Sequence, residues 1–487
     1  MFSMTFEKPR LMIAALRGGS GKTVVSLGLA AAWRLYKGLR VVPFKKGPDY
    51  IDAAWLSAAA RHACYNLDPF LMKPDEMLCS FLRRANKGDG AVIEGNRGLY
   101  DGVDVQGSYS TAELSKLLRT PVIIVLDATK VTRTAAALVL GCQHLDPEVG
   151  IAGVILNQVA GRRHERVLRG AIERYCRIPV LGVVPKESTN FFPERHLGLV
   201  PPQEAGDISG AVEFAAGRMK ECIDLDALWD IASTAEPLGW PTRMADLQAG
   251  AGMRGPVSIG VIRDSAFQFY YPENIEALEE RGAAIVEVNS LADRPLPDVD
   301  ALYIGGGFPE THLERLSLNE TFRKSLKDRI EIGLPVYAEC GGLMYLCRGI
   351  LQGGNSFPMT GVFPFDVVLG SRPQGHGYTV MECVRGNPFL GVGQSCKGHE
   401  FHYSRIIGPA RDFPFVFRLE KGHGIVAGWD GMCYKNVLAS YSHIHAVGHD
   451  CWAEGLVRAA LCFRQAKAHG SIDNEWTHEV CRESVVS

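Results

Sequence analysis

A chain of 487 residues exceeds what one compact core accommodates, and its length points to two to four domains. With 46% hydrophobic and 22% charged residues it has the make-up of an ordinary globular protein, and a net charge of −2 offers no broad basic surface for nucleic acid or an anionic membrane. Thirteen cysteines, scattered and without a CxxC pair, argue against a disulfide frame or a zinc site and suit a reducing cytoplasm. No apolar run approaches the ~20 residues that span a bilayer. The charged start (Glu7, Lys8, Arg10) carries no secretory pattern. The expectation is a cytoplasmic protein with no nucleic-acid and no membrane partner.

In chain order, the first half alternates short β-branched runs with amphipathic stretches. Runs at 11–15, 39–44, 90–95, 120–127, 150–157 and 179–185 read as strands, with helical patterns between most of them. Such alternation predicts a doubly wound parallel sheet, the α/β class. The first strand runs into Gly18, Gly19, Ser20, Gly21, Lys22 and Thr23, which open a helix. Glycines let phosphates approach the backbone, and the amides at a helix start suit an anion. Lys22 would reach the β- and γ-phosphates of ATP, and Thr23 would ligate Mg²⁺. The usual loop has glycine five positions before its GK pair; that place is Leu16 here. The loop resembles the variant found in the ParA and dethiobiotin-synthetase superfamily.

The second strand leads into PFKKGPDYIDAAW (43–55), which sets Lys45, Asp49, Tyr50 and Asp52 at the sheet edge where open α/β sheets bind ligands. Asp49 and Asp52 suit Mg²⁺, an ion that prefers oxygen and retains water; a helix cap plus a turn acid is the plainer role for them. Glu94 ends the third strand-like run and Asp101 follows in NRGLYDG. A carboxylate at a strand end near such a loop is the usual second partner of the nucleotide's metal. Asp127 also ends a strand and is as readily structural. Asn157 stands where relatives of this loop read adenine, and a satisfied loop amide is the equal alternative. Aromatic residues nearby (Tyr50, Trp55, Tyr65, Phe70) would pack a flat ring or fill the core.

The segment 234–256 is rich in Gly, Ala and Pro, lacks a periodic face, and reads as a linker after a domain over 1–233. A second α/β series begins at residue 257 and ends near 465, leaving a polar tail at 466–487. Its sharpest feature is LPVYAECGG (334–342), an apolar strand ending in Cys340 and two glycines. A strand-to-helix elbow of this kind exposes a nucleophile and aims the following N–H groups at a reacting carbonyl. Gly341, and Gly307 from GGGFPE (305–310), are the expected oxyanion donors. A thiol needs a base. His443 in ASYSHIHA is the candidate, with His445 next; the place two beyond His443, natural for an orienting acid, holds His445. The site reads as a Cys–His dyad.

These blocks, FKKGPDYID, RDSAFQFYYPEN, GGGFPETH, AECGGLMYL, GHEFHYS and ASYSHIH, resemble the cobyrinate a,c-diamide synthase family from about residue 10 to 455. The resemblance implies a class I glutamine amidotransferase domain behind a dethiobiotin-synthetase-like ATP domain. It implies L-glutamine, ATP and Mg²⁺, and amidation of the c and then the a acetate of an anionic tetrapyrrole through acyl phosphates. Thr23, Glu94 and Asp49 would serve the metal; Asp49, Tyr50, Asp52 and Asp101 the substrate and phosphoryl group. A missing third acid is usual in this glutaminase subclass. Ammonia is mostly protonated in neutral water, so a protected path or close apposition of the two domains is expected. Arg17 and Lys46 depart from the usual residues in their motifs. The same chemistry on Ni-sirohydrochlorin or hydrogenobyrinate, a ParA-like switch with an inert second module, and a homodimer all stay open.

Overall fold

The computed structural model describes residues 5–186, 194–195, 198–204, 206–241, 257–408 and 413–469. The chain divides into two compact units, Met1–Ala245 and Asp246–Ser487. Most of the expected linker, 242–256, and nearly all of the expected tail, 470–487, lie outside the described residues. Ahead of that gap, Leu238–Gly239 pairs antiparallel with Thr5–Phe6 of the first unit. No helix among the described residues is long and apolar enough to cross a membrane.

The first unit is built on β1 (Arg10–Ala15), β2 (Val41–Lys46), β3 (Tyr65–Leu67), β4 (Gly90–Glu94), β5 (Val122–Asp127), β6 (Ile151–Val159) and β7 (Val180–Pro185). They form one sheet in the order β3-β2-β4-β1-β5-β6-β7, every pairing parallel. The six predicted strands are all present, and β3 is an added edge strand. Nearly continuous burial along β1, β2, β4 and β5 follows from helices covering both faces. Helix α1 (Lys22–Lys37) buries Val25, Leu27, Leu29 and Trp33 in the core it shares with α2 (Ile51–Ala60), whose Trp55 and Leu56 are fully enclosed. Chain order places β1 centrally, so the carboxyl ends of β1, β2 and β4 meet at one edge, where open sheets bind ligands.

The second unit repeats the class. Strands β8 (Val257–Ile262), β9 (Ala283–Val288), β10 (Ala301–Ile304), β11 (Val336–Glu339), β12 (Met432–Tyr434) and β13 (Val437–Ser440) form a sheet in the order β9-β8-β10-β11-β13-β12. It is parallel except at the β12–β13 edge. Between β11 and β12 the chain builds a mixed four-stranded sheet and most of an antiparallel five-stranded one. No strand is expected there from the sequence alone. These strands are short or half-exposed, and charged residues and glycines break their alternation, as in Gly375–Cys383 and Ser395–His402. The last helix, Asp450–Ala468, runs through the expected domain end at 465 and buries Trp452, Leu456 and Phe463.

Candidate active sites

The phosphate loop joins β1 to α1. Gly21 caps the helix at φ 89° and ψ 15°, and α1 itself carries no acidic residue in its first turn. A Cβ on Gly21 would collide with the Asn157 amide, which also donates from Nδ2 to the Ser20 carbonyl at 3.0 Å. Asn157 is thus a brace of the loop. Lys22 Nζ donates to the carbonyls of Arg17 (3.2 Å) and Arg97 (2.8 Å), and burial pulls its ammonium below the ordinary lysine value. Arg17 pairs with Asp127 at 2.7 Å, which gives that strand-end acid a partner on the loop.

Beside the loop lies a knot of opposite charges. Thr23 Oγ1 donates to Glu94 Oε1 at 2.7 Å and to Asp52 Oδ2 at 3.3 Å. Lys45 Nζ donates to the same two oxygens, at 2.6 Å to Asp52 and 2.8 Å to Glu94. Lys45 and Glu94 are buried. Burial pulls the Lys45 ammonium down, but Asp52, Glu94 and Asp49 outweigh it and hold the group charged. Burial raises Glu94, with Lys45 opposing. Asp49 Oδ1 accepts from the Asp52 N–H at 2.9 Å, the expected cap at the start of α2; Tyr50 is the residue before that helix. Burial, then the neighbouring Asp52, pushes the Asp49 carboxyl up to about 7. Asp101 Oδ2 accepts from the Gly98 N–H at 2.8 Å and closes its own loop. Lys46 is buried, which lowers it, while Asp68 draws it back up.

The donor set here, one hydroxyl and clustered carboxylates, is oxygen-only and suits Mg²⁺. Among the described residues no group of three or more His, Cys, Asp or Glu is arranged to hold a metal alone.

In the second unit Cys340 follows β11 and precedes the short helix Gly341–Leu346 at φ 48° and ψ −100°, a left-handed conformation costly for a side chain other than glycine. Its N–H is held by the Ser440 carbonyl of β13 at 2.8 Å. A Cβ on Gly341 would lie 3.2 Å from the Gly307 nitrogen, so the two expected oxyanion donors are neighbours. Gly307 itself, at φ 156°, has no room for a side chain because the Ala266 carbonyl presses on it. A Cβ on Gly306 would lie 2.6 Å from His443 Cε1, which sets the His443 ring against the same glycine strand. Burial, then Glu310, pushes the Cys340 thiol up, and a hydrogen bond from the Gly341 N–H opposes this. A thiol raised in this way needs a base to become a thiolate.

His443 sits on the short strand His443–Ile444, paired with His399, whose ring stacks on it at 4.8 Å between centroids. His445 is turned elsewhere: it packs on Tyr271, faces Glu273 at 3.7 Å and accepts from the Val447 N–H. A carboxylate does face His443, from an unexpected position. Glu339 Oε2 lies 3.6 Å from His443 Nδ1.

Family models match both units: residues 11–200 match the CobQ/CobB/MinD/ParA nucleotide binding domain and residues 258–451 the CobB/CobQ-like glutamine amidotransferase domain. A cobyrinate a,c-diamide synthase of Magnetococcus marinus is 43% identical over 457 residues, covering 93% of this chain and 98% of its own. This chain belongs to the cobyrinate a,c-diamide synthase family. Family members from Methanothermobacter thermautotrophicus and Caldanaerobacter subterraneus are 42% and 40% identical, over 93% and 89% of this chain and 100% and 94% of theirs. The family is one of enzymes, and this chain carries both its nucleotide-binding and its glutamine amidotransferase domains.

For a member of this family, Glu339 is the residue that motif reading passes over. It stands directly before Cys340, where strand alternation turns neighbouring side chains to opposite faces. Only its burial in an apolar strand, VYAE, marked it as unusual.

Proposed function

We propose that this protein amidates the a and c acetate carboxylates of cobyrinate, using ATP and glutamine, with the two chemistries divided between its units. A carboxylate is a poor electrophile, so the γ-phosphoryl group of ATP is transferred to it, and ADP leaves. Ammonia then attacks the acyl carbon, phosphate departs, and an amide remains. Lys22 and Lys45 offset charge on the moving phosphoryl group. Bound Mg²⁺ would neutralise phosphate charge, with Thr23, Glu94 and Asp49 as its holders. Asp52, Asp101 and Tyr50 would position the substrate. Asn157 would keep its brace on the loop while Oδ1 accepts from the adenine amino group.

Ammonia comes from the second unit. His443 takes the Cys340 proton as sulfur attacks the glutamine amide carbon, and the N–H groups of Gly307 and Gly341 receive the oxyanion. The C–N bond breaks, the imidazolium proton passes to the leaving nitrogen, and a thioester and ammonia result. Water then hydrolyses the thioester to glutamate and restores the thiol.

The observation that carries this reading is the strained Cys340 elbow, followed by Gly341, with Gly307 beside Gly341 and His443 against the adjoining Gly306. Its test is mass spectrometry of product formed from cobyrinate, ATP, Mg²⁺ and glutamine. Two added amides support the reading; one or none rejects cobyrinate as the substrate. Ni-sirohydrochlorin and hydrogenobyrinate assayed alongside would then identify the macrocycle.

A further inference from the structure

We infer that Glu339, the residue immediately before the nucleophile, is the positioning residue of the glutaminase site and completes a Cys340–His443–Glu339 triad. The inference rests on the reading of Cys340 and His443 as the glutaminase pair. Glu339 is 1% exposed and His443 2%, so their 3.6 Å contact is shielded from solvent. A buried carboxylate is costly unless it is paired and hydrogen-bonded. Here the pairing is specific. Oε2 accepts from Tyr303 Oη at 2.9 Å, while Oε1 accepts from Tyr337 Oη at 3.2 Å and from the Ile444 N–H at 2.9 Å. Three donors from three elements fix the carboxylate, and the fourth group it meets is His443 Nδ1.

That placement does two things. It favours the tautomer with the proton on Nδ1, which leaves Nε2 as the base. It also puts a negative charge beside the imidazolium that forms when Cys340 gives up its proton. At 3.6 Å the contact is slightly longer than a hydrogen bond, and such bonds tighten on substrate binding. The acid arrives from an unusual place because β13 pairs in parallel with β11, setting Ser440 opposite Glu339. The chain then turns, and Ile444 is delivered to the same carboxylate.

The alternative is that Glu339 only anchors the Ile444 backbone. Steady-state glutaminase kinetics of the full chain separate the two, read as ammonia released across a pH series. If Glu339 positions His443, Glu339→Gln lowers kcat about a hundredfold, within the usual range for acid–base catalysis, and changes KM for glutamine by no more than about threefold. Removing an anion beside the imidazole also destabilises its protonated form, so the limb of the pH profile belonging to His443 moves to lower pH. An unshifted limb with unchanged kcat overturns the proposal, as does a loss of activity that tracks melting temperature alone. If that variant does not fold, Tyr303→Phe and Tyr337→Phe loosen the carboxylate without deleting it. A several-fold fall in kcat at constant KM supports the proposal, and unchanged kcat in both overturns it. Cys340→Ala distinguishes the layers. Glutamine hydrolysis surviving in that variant would overturn the reading of the whole site, whereas its loss beside an unaffected Glu339→Gln would overturn only the triad.

Discussion

The two sites are organised in opposite ways. At the phosphate loop the ligand-directed groups satisfy one another: Lys22 holds loop carbonyls, and Thr23 and Lys45 share the oxygens of Asp52 and Glu94. Binding there exchanges partners. At the thiol elbow there is little to exchange. Backbone strain at Cys340, the close glycines and the His443–Glu339 contact are already in place, and burial pushes the thiol up. Charge clusters suit highly charged phosphates and a divalent ion. Rigid N–H groups and a shielded base suit a neutral amide that becomes an oxyanion only in passing.

The contrast breaks most sharply at Cys340. Cys340→Ala is expected to abolish glutamine-dependent amidation while amidation with added ammonium persists; loss of both in folded protein would remove the division of labour. Next comes Lys45→Met, which leaves Glu94 and Asp52 facing each other without their cation. Removing one partner of a buried ion pair costs about 3–5 kcal/mol. The sign with pH is definite: Glu94, already raised by burial, rises further without Lys45, so the folded state binds its proton more tightly than the unfolded chain. The variant therefore loses stability as pH rises above the usual carboxylate range, and denaturant melts at pH 5 and pH 8 should diverge accordingly. A parallel loss in parent and variant would show that Lys45 does not compensate the knot.

A smaller effect is expected at Gly307→Ala, where the new methyl meets the Ala266 carbonyl and displaces an oxyanion donor. Losing one such donor costs about 10²–10³ in kcat, and an assay with ammonium in place of glutamine should show no change. The mildest expected effect is at Asp49, whose carboxyl sits at about 7. A raised acid favours folding at low pH, and that contribution fades as pH climbs from the unfolded value towards 7. Asp49→Asn removes the penalty, so it should melt higher than the parent at pH 8 and by a smaller margin at pH 5, while slowing the ATP-dependent step. Equal melting temperatures at pH 8 would refute the assignment.

The phosphate loop and the elbow were readable in the sequence because each is local: strand, turn residues and helix start lie within a dozen positions, and the glycines have steric reasons to be there. The parallel sheets were readable from alternation of apolar runs. The strands between β11 and β12 were not, because half-exposed strands carry a weak period and take their order from distant partners. Lys45 was legible as a candidate, but not as the bridge between Asp52 and Glu94, which needs β2 and β4 side by side. Asn157 offered two roles, and its bond to Ser20 shows one of them.

Local covalent order, then, was enough to give the α/β class and to place the glycine loop and the Cys340 elbow between strand and helix, since turn sterics and side-chain periodicity act over a few residues. Which acid meets His443, and why His445 does not take its place, was settled by the parallel pairing of β11 with β13 and by the return of the chain at 441–444. Contacts across a hundred residues depend on how whole strands pack, and no short-range pattern encodes them.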